Sequence, residues 1–188
     1  MKSKLIFSLL FFITVLISAQ KNEQQTINNS FTTFFNQLKN KQIDQAVENI
    51  YPKYYTFASK DQMKMILNMT YNNPMIKVEV QNFKVNKISN PDLVNGEYFS
   101  VVDYSTRVRF GTENLQEEMR KNIQNMLVQK YGQGNVIYYE NEMAYFINAK
   151  SKACAVSKDK KNWKFVLVEK EMKGVLDKIL PKKVLDKF

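Results

Sequence analysis

Histidine is absent from this 188-residue chain. That removes imidazole acid/base chemistry, the usual zinc sites and any Ser-His or Cys-His nucleophile pair. Cysteine occurs once, as Cys154, so no internal disulfide can form. A single domain of this length buries enough surface to be stable without one. Acidic residues are outnumbered, 18 against 28 basic ones, and lysine supplies nearly all of the excess. Long apolar runs are missing except at the N-terminus. No internal repeat, low-complexity tract or interdomain linker appears, so one domain is expected.

What is present begins with a leader-like segment. Met1-Lys2-Ser3-Lys4 is a short basic start, Leu5 to Ile17 is apolar, and Ile17-Ser18-Ala19 before Gln20 resembles a signal-peptidase site. We read residues 1–19 as a signal peptide and 20–188 as a single α+β domain, exported to the periplasm or secreted. The apolar run falls short of the roughly 20 residues that a membrane span wants, and no cysteine follows the cleavage point to carry a lipid anchor. The formal net charge of +10 favours anionic surfaces, although lysines dispersed over a solvated surface give the same total with no partner.

Periodicity supplies the elements. Ile27, Phe31, Phe34, Phe35 and Leu38 recur at helical spacing, as do Ile43, Ala46, Val47 and Ile50 after a polar break, with Pro52 expected to end the second helix. Tyr51, Tyr54, Tyr55 and Phe57 form an aromatic cluster. Ser59-Lys60-Asp61-Gln62 reads as a capping box opening a third helix through Met63, Ile66, Leu67 and Tyr71. From Met75 the period changes to two, with a phase slip near Asn82 that suggests a bulge. The turn signals Asn90-Pro91-Asp92 and Asn95-Gly96 then make residues 97–110 the antiparallel partner of this strand.

That second strand is long, about 46 Å if straight, so it must curve or carry a bulge. Tyr98, Ser100, Val102, Tyr104, Thr106, Val108 and Phe110 share one face, which reads as core throughout. Phe99, Val101, Asp103, Ser105, Arg107 and Arg109 share the other, which turns polar from Asp103 onward. Thr112 is expected to cap a fourth helix with Leu115, Met119, Ile123, Met126 and Leu127 as its buried stripe, stopped at Gly132. Four further strands are expected at 136–139, 143–149, 153–157 and 163–168, in a sheet that is largely a meander, before a last helix and a short helical turn after Pro181.

The fold class predicted is α+β: a curved antiparallel sheet with the N-terminal helices on its concave face, plus an inserted helix and a C-terminal helix. The order of elements, the helix pair ending in Tyr51-Pro52 and the terminal Trp163-Lys164-Phe165 strand resemble the nuclear transport factor 2-like cone over roughly residues 27–168. The Trp-x-Phe strand followed by Ile-Leu-Pro is also similar to secreted proteins of Bacteroidetes-type bacteria. The cone resemblance implies an apolar cavity. In enzymes of that superfamily, such as ketosteroid isomerase, scytalone dehydratase and polyketide cyclases, the cavity holds a carboxylate with His or Tyr partners; its transport and adaptor members catalyse nothing. No residue here matches those motifs as a catalytic group.

If the long strand lines a pocket, Asp103, Tyr104 and Arg107 are the candidate ligand contacts, with Tyr54 and Tyr55 at the rim. Asp103 and Arg107 lie about 13 Å apart along a straight strand and cannot pair; a solvated face with cross-strand charge partners is the simpler account of both. Met63, Met65, Met69 and Met75 offer thioethers for a Cu(I) site, against the ordinary account that methionine fills core gaps. The lysine-rich tail 170–188 can lie on an anionic membrane or dock its apolar residues on the domain. Nucleic acid is not expected, since aromatic and basic residues do not interleave as in a binding platform.

The functional expectation is an exported, non-catalytic cone-fold domain that binds a small apolar ligand or an envelope protein partner. The alternative is a small cofactor-independent enzyme, isomerase, cyclase or dehydratase-like, using the same cavity. No cofactor or metal is assigned. A deep pocket enclosing a carboxylate of raised pKa speaks for the enzyme, an exposed apolar patch for the binding module.

Overall fold

The computed structural model describes residues 22–188; the segment 1–19 read as a signal peptide lies outside them. A helix over residues 22–39 (α1) buries Ile27, Phe31, Phe34, Phe35 and Leu38, the stripe that 3.6-residue periodicity requires. A short helix, α2 (Ile43–Val47), follows. Pro52 does not end α2; it opens the next 3₁₀ turn, Pro52–Thr56. Between them Tyr51 N–H donates to the Phe165 carbonyl at 3.0 Å and Phe165 N–H to the Asn49 carbonyl at 2.8 Å, so pairing with a distant strand stops the helix.

The capping box opens α3 (Lys60–Tyr71), with Gln62 N–H donating to Ser59 Oγ at 3.2 Å and Ser59 N–H to Gln62 Oε1 at 2.7 Å. Of its apolar residues Met63 is buried, while Ile66, expected inside, is exposed. Met65, Met69 and Met75 are exposed too, so the four thioethers considered for copper are divided between core and surface.

The long hairpin is present as β1 (Lys77–Ile88) and β3 (Glu97–Gly111), joined through β2 (Asp92–Val94). β2 and β3 turn at Asn95 and Gly96, φ 51° and 80°, the left-handed pair that a tight hairpin needs. The slip near Asn82 is a register shift between Val80 and Asn82, and a second lies between Val85 and Lys87. After the hairpin come α4 (Glu117–Tyr131), β4 (Val136–Tyr139), β5 (Ala144–Ser157), β6 (Lys164–Val168), α5 (Lys173–Ile179) and α6 (Lys182–Leu185).

Three expectations change here. Thr112 does not cap α4: its N–H and hydroxyl both donate to the Met143 carbonyl, at 2.8 and 2.6 Å, and the helix starts at Glu117, whose carboxylate and that of Glu118 suit the positive helix start. Met119 and Met126 are exposed, leaving Leu127 as the buried residue of α4. The two strands expected at 143–149 and 153–157 are one strand, because Lys150, Ser151 and Lys152 pair in register with Ser105, Tyr104 and Asp103 instead of turning.

The described residues form a six-stranded antiparallel sheet that is not closed, and it is not a simple meander. β3 and β5 are central; β1 and β2 share one edge, β4 and β6 the other. On one face α1 covers Val102, Tyr104, Ala153, Ala155 and Phe165. Phe31 sits at the middle of that cluster, with ring centroids 4.8 Å from Phe165, 5.1 Å from Phe35 and 5.2 Å from Tyr104. The opposite face packs Phe99, Cys154, Val156 and Val166 under Leu176, Ile179, Leu180 and Val184, so the tail docks its apolar side and leaves Lys173, Lys178, Lys182, Lys183 and Lys187 exposed.

Candidate functional site

The first face of the sheet is covered twice, with a gap between the covers. α1 and α3 occupy the end carrying Val102 and Tyr104. α4 occupies the other end, where Leu127 packs on Tyr145 and Ile147. Between them Thr106, Val108 and Phe110 of β3, expected as core, are only half-buried. They floor an open groove of about 1130 Å³ together with Val78 and Val80 of β1 and Ile147 and Ala149 of β5. Its walls are Phe35 and Leu38 of α1, Thr70 and Tyr71 of α3, and Met126, Leu127, Lys130 and Tyr131 of α4.

One side of the groove opens through the sheet edge. β4 pairs with residues 144–147 of β5 and β6 with residues 152–156. Asn148, Ala149, Lys150 and Ser151 therefore have β3 on one side and no strand on the other, and all four line the groove. Alternate residues of a strand direct N–H and C=O to the same edge, so this segment offers backbone polar groups to whatever fills the gap. Through it the groove continues to Leu185 and Phe188 on the far side of the sheet. Across the mouth Lys130 donates to Glu169 at 2.7 Å, joining the last turn of α4 to the residue after β6. That hydrogen bond leads the causes that raise the Lys130 pKa.

Three tyrosines from separate elements line this groove: Tyr71 from α3, Tyr104 from β3 and Tyr131 from the end of α4. Burial raises the pKa of each, and charge on Tyr71, Tyr131 or Glu169 is felt at Tyr104, which also has the Ser151 hydroxyl beside it lowering its pKa in part. All three stay protonated at neutral pH and act as hydrogen-bond donors.

Of the five residues singled out from the sequence, Tyr104 lines this groove. Asp103 and Arg107 point to the opposite face, as strand alternation dictates. Asp103 is half-buried and flanked in register by Lys87 and Lys152; Arg107 is exposed, its guanidinium 4.8 Å from the centroid of the Phe146 ring. Tyr54 bridges two apolar clusters away from the groove. Tyr55 donates its hydroxyl to the Val47 carbonyl, and burial pushes its pKa up to about 12. Arg109, next along the polar face, is a clamp: it bonds Glu113 at 2.6 Å and the Glu142 carbonyl at 3.2 Å, with Glu79 at 3.9 Å.

Sequence reasoning passed over Tyr131, Ser151 and Lys130 and took Tyr71 only as part of a helix stripe. The available signal was the helical phase that puts Tyr131 four residues after Leu127; nothing local ties it to Tyr104. Among the described residues no three Cys, Asp or Glu side chains gather to hold a metal ion. No family model, curated protein or solved structure matches the chain.

Proposed function

We propose that the protein is an exported, non-catalytic domain that binds a small apolar ligand in the groove between α1/α3 and α4. The observation that carries this reading is the half-buried Thr106, Val108 and Phe110 floor within a space of about 1130 Å³. Ligand sites run to roughly 300–1,000 Å³ and are mostly apolar with a few placed polar groups. Leaving such a floor uncovered forgoes roughly 25 cal/mol for each Å² of apolar surface, which a bound apolar molecule recovers. This reading rests on the groove itself and not on the cone resemblance.

The enzyme alternative needs a carboxylate held protonated in the apolar space. Asp103, the carboxylate singled out on the long strand, lies on the opposite face of the sheet from the groove floor. The groove tyrosines are donors and not bases. Binding is thus the better account of the site's chemistry.

The test uses N-phenyl-1-naphthylamine, a neutral apolar dye that brightens out of water. The native protein is expected to bind it at micromolar concentration, and Ala149→Trp, which fills the floor beside Thr106, is expected to weaken binding at least about tenfold while the protein stays folded. Dye binding that Ala149→Trp leaves unchanged would overturn the groove reading. Mass spectrometry of ligand extracted from protein isolated from its native envelope then identifies what occupies it; recovery of a protein partner alone would favour the docking alternative.

A further inference from the structure

An open sheet presents unpaired backbone along its edge strands, and folded proteins blunt such edges against joining another chain. Among the described residues the edge strands are β1 and β2 on one side and β4 and β6 on the other. Three of these are blunted. β1 exposes Lys77, Glu79, Lys84 and Lys87 and carries two register shifts, and Lys39 reaches over it to the Gln81 carbonyl at 3.4 Å. β2 is three residues long, with Asp92 held by Lys187. β6 is covered on its outer side by residues 49–51, through the backbone bonds that Phe165 makes with Asn49 and Tyr51.

β4 has none of these devices. Its residues, Val136, Ile137, Tyr138 and Tyr139, are all strand formers without charge, and Ile137, Tyr138 and Tyr139 are 43%, 37% and 38% exposed. The ladder determines which backbone groups face outward. Thr112 N–H donates to the Met143 carbonyl, one step beyond the β3–β5 register, so alternation turns Tyr145 and Ile147 toward β3 and Ala144 and Phe146 toward β4. Ile137 and Tyr139, which pair with Phe146 and Ala144, are therefore turned inward, and Val136 and Tyr138 outward. Val136 N–H is met by the Gln133 carbonyl. Within β4, Tyr138 is thus the residue whose N–H and C=O both point out of the sheet with no partner among the described residues.

We propose that β4 pairs antiparallel with β4 of a second copy of this chain, across a two-fold axis at Tyr138. An axis normal to the sheet keeps each face continuous, so Tyr138 meets its own equivalent and the two exchange a pair of N–H···O=C bonds. The same register sets Ile137 of each copy beside Tyr139 of the other, on the face away from α4. All three exposed side chains are covered by this one operation. Charge permits it as well: Glu140 falls opposite Val136, so no carboxylate faces its own copy. A second β4 is therefore the strand this edge fits, donor to acceptor and Ile137 to Tyr139 in both directions. A contact built on four residues is smaller than the roughly 1,200–2,000 Å² of stable interfaces, which makes the dimer reversible. It is independent of what the groove holds.

Sedimentation velocity of the full chain over a wide concentration range tests this. The native protein is expected to show a reversible monomer–dimer equilibrium. Tyr138→Lys sets two like charges against each other on the axis and is expected to weaken association at least about tenfold, whereas Leu93→Lys, at the exposed position of the β2 edge, is expected to leave it unchanged. If Tyr138→Lys fails to fold, cross-linking carries the test. Tyr138→Cys brings two thiols to the roughly 5.5 Å Cα separation of a hydrogen-bonded pair, within disulfide reach. Oxidation with diamide is expected to give a covalent dimer from Tyr138→Cys and none from Leu93→Cys; Cys154, fully buried, does not compete. A protein that stays monomeric at every concentration, or associates equally well as Tyr138→Lys, would overturn the proposal. So would a monomer that uses this edge to bind a different protein, or growth into open-ended oligomers, since a two-fold pair closes.

Discussion

The two ends of one sheet face differ more than their sequences do. Val102 lies sealed under α1 in an aromatic cluster and Tyr104 sits where that cluster meets the groove, whereas Thr106 and Val108, continuing the same alternation on the same strand, floor the groove and are only half-buried. The difference is in the covering helices. α1 brings five large apolar side chains to the sheet. α4 buries essentially Leu127, and its methionines 119 and 126 stay outside. A strand supplies a surface, and the helix laid on it decides whether that surface becomes core or binding site.

The largest expected effect tests this directly. Phe31→Ala should cost about 3–5 kcal/mol of stability, since Phe31 has no exposure and five aromatic neighbours. Val108→Ala should cost roughly 1 kcal/mol. Urea unfolding of both variants reads the difference, and equal losses would break the distinction between sealed and open ends.

Thiol reactivity sharpens the same contrast. Cys154 is fully buried under the C-terminal helices, and burial pushes its thiol up to about 12. Thr106→Cys places a second thiol on the groove floor, with access to water and a pKa near the ordinary 8.5. At pH 8 its alkylation by iodoacetamide is expected to outrun that of Cys154 on the order of a thousandfold. Comparable rates would mean that the groove is closed or that the Cys154 core opens readily.

The smallest effect concerns the turns at the two ends. Asp159 closes the β5–β6 turn at the sealed end, accepting from Asn162 N–H at 2.8 Å, Lys161 N–H at 2.9 Å, the Asn162 amide at 2.7 Å and the Ser157 hydroxyl at 2.9 Å. These bonds, the two backbone ones first, hold its carboxyl well below the usual range. Because the folded value lies below the unfolded one, the stabilisation is complete above the ordinary Asp pKa of about 3.9 and fades as pH falls through the folded value. Asp159→Ala should therefore lower the unfolding midpoint at pH 7 and do so progressively less below about pH 4. The turn before β5 at the open end is held instead by the Thr112 hydroxyl on the Met143 carbonyl at 2.6 Å, a group that does not titrate in this range, so Thr112→Ala is expected to lower the midpoint with no matching pH dependence; an equal one would remove the asymmetry.

Much of the fold was legible in the residues because local rules govern it. The Ser59-Gln62 capping box, the Asn95-Gly96 hairpin and the Gly132 stop each depend on a few adjacent residues. Errors arose where a distant partner intervened. Met143 took the Thr112 hydroxyl away from α4, Phe165 claimed the backbone after α2, and β3 held Lys150 to Lys152 extended where charge suggested a turn. The site was less legible still. Tyr104 could be picked from its strand, but Tyr71 and Tyr131 join it from separate helices.

Sequence by itself determined where most helices and strands lie and which face of β3 is apolar, because those follow from periodicity and from contacts a few residues apart. Only the tertiary structure decided that the apolar face from Tyr98 to Phe110 is sealed at one end and open at the other. It also decided that β4 and β6 leave a gap beside Ser151 and that tyrosines from α3, β3 and α4 line one groove. The physical reason is that a covered and an uncovered apolar residue look alike in sequence. What distinguishes them is how far a helix from elsewhere in the chain reaches across the sheet.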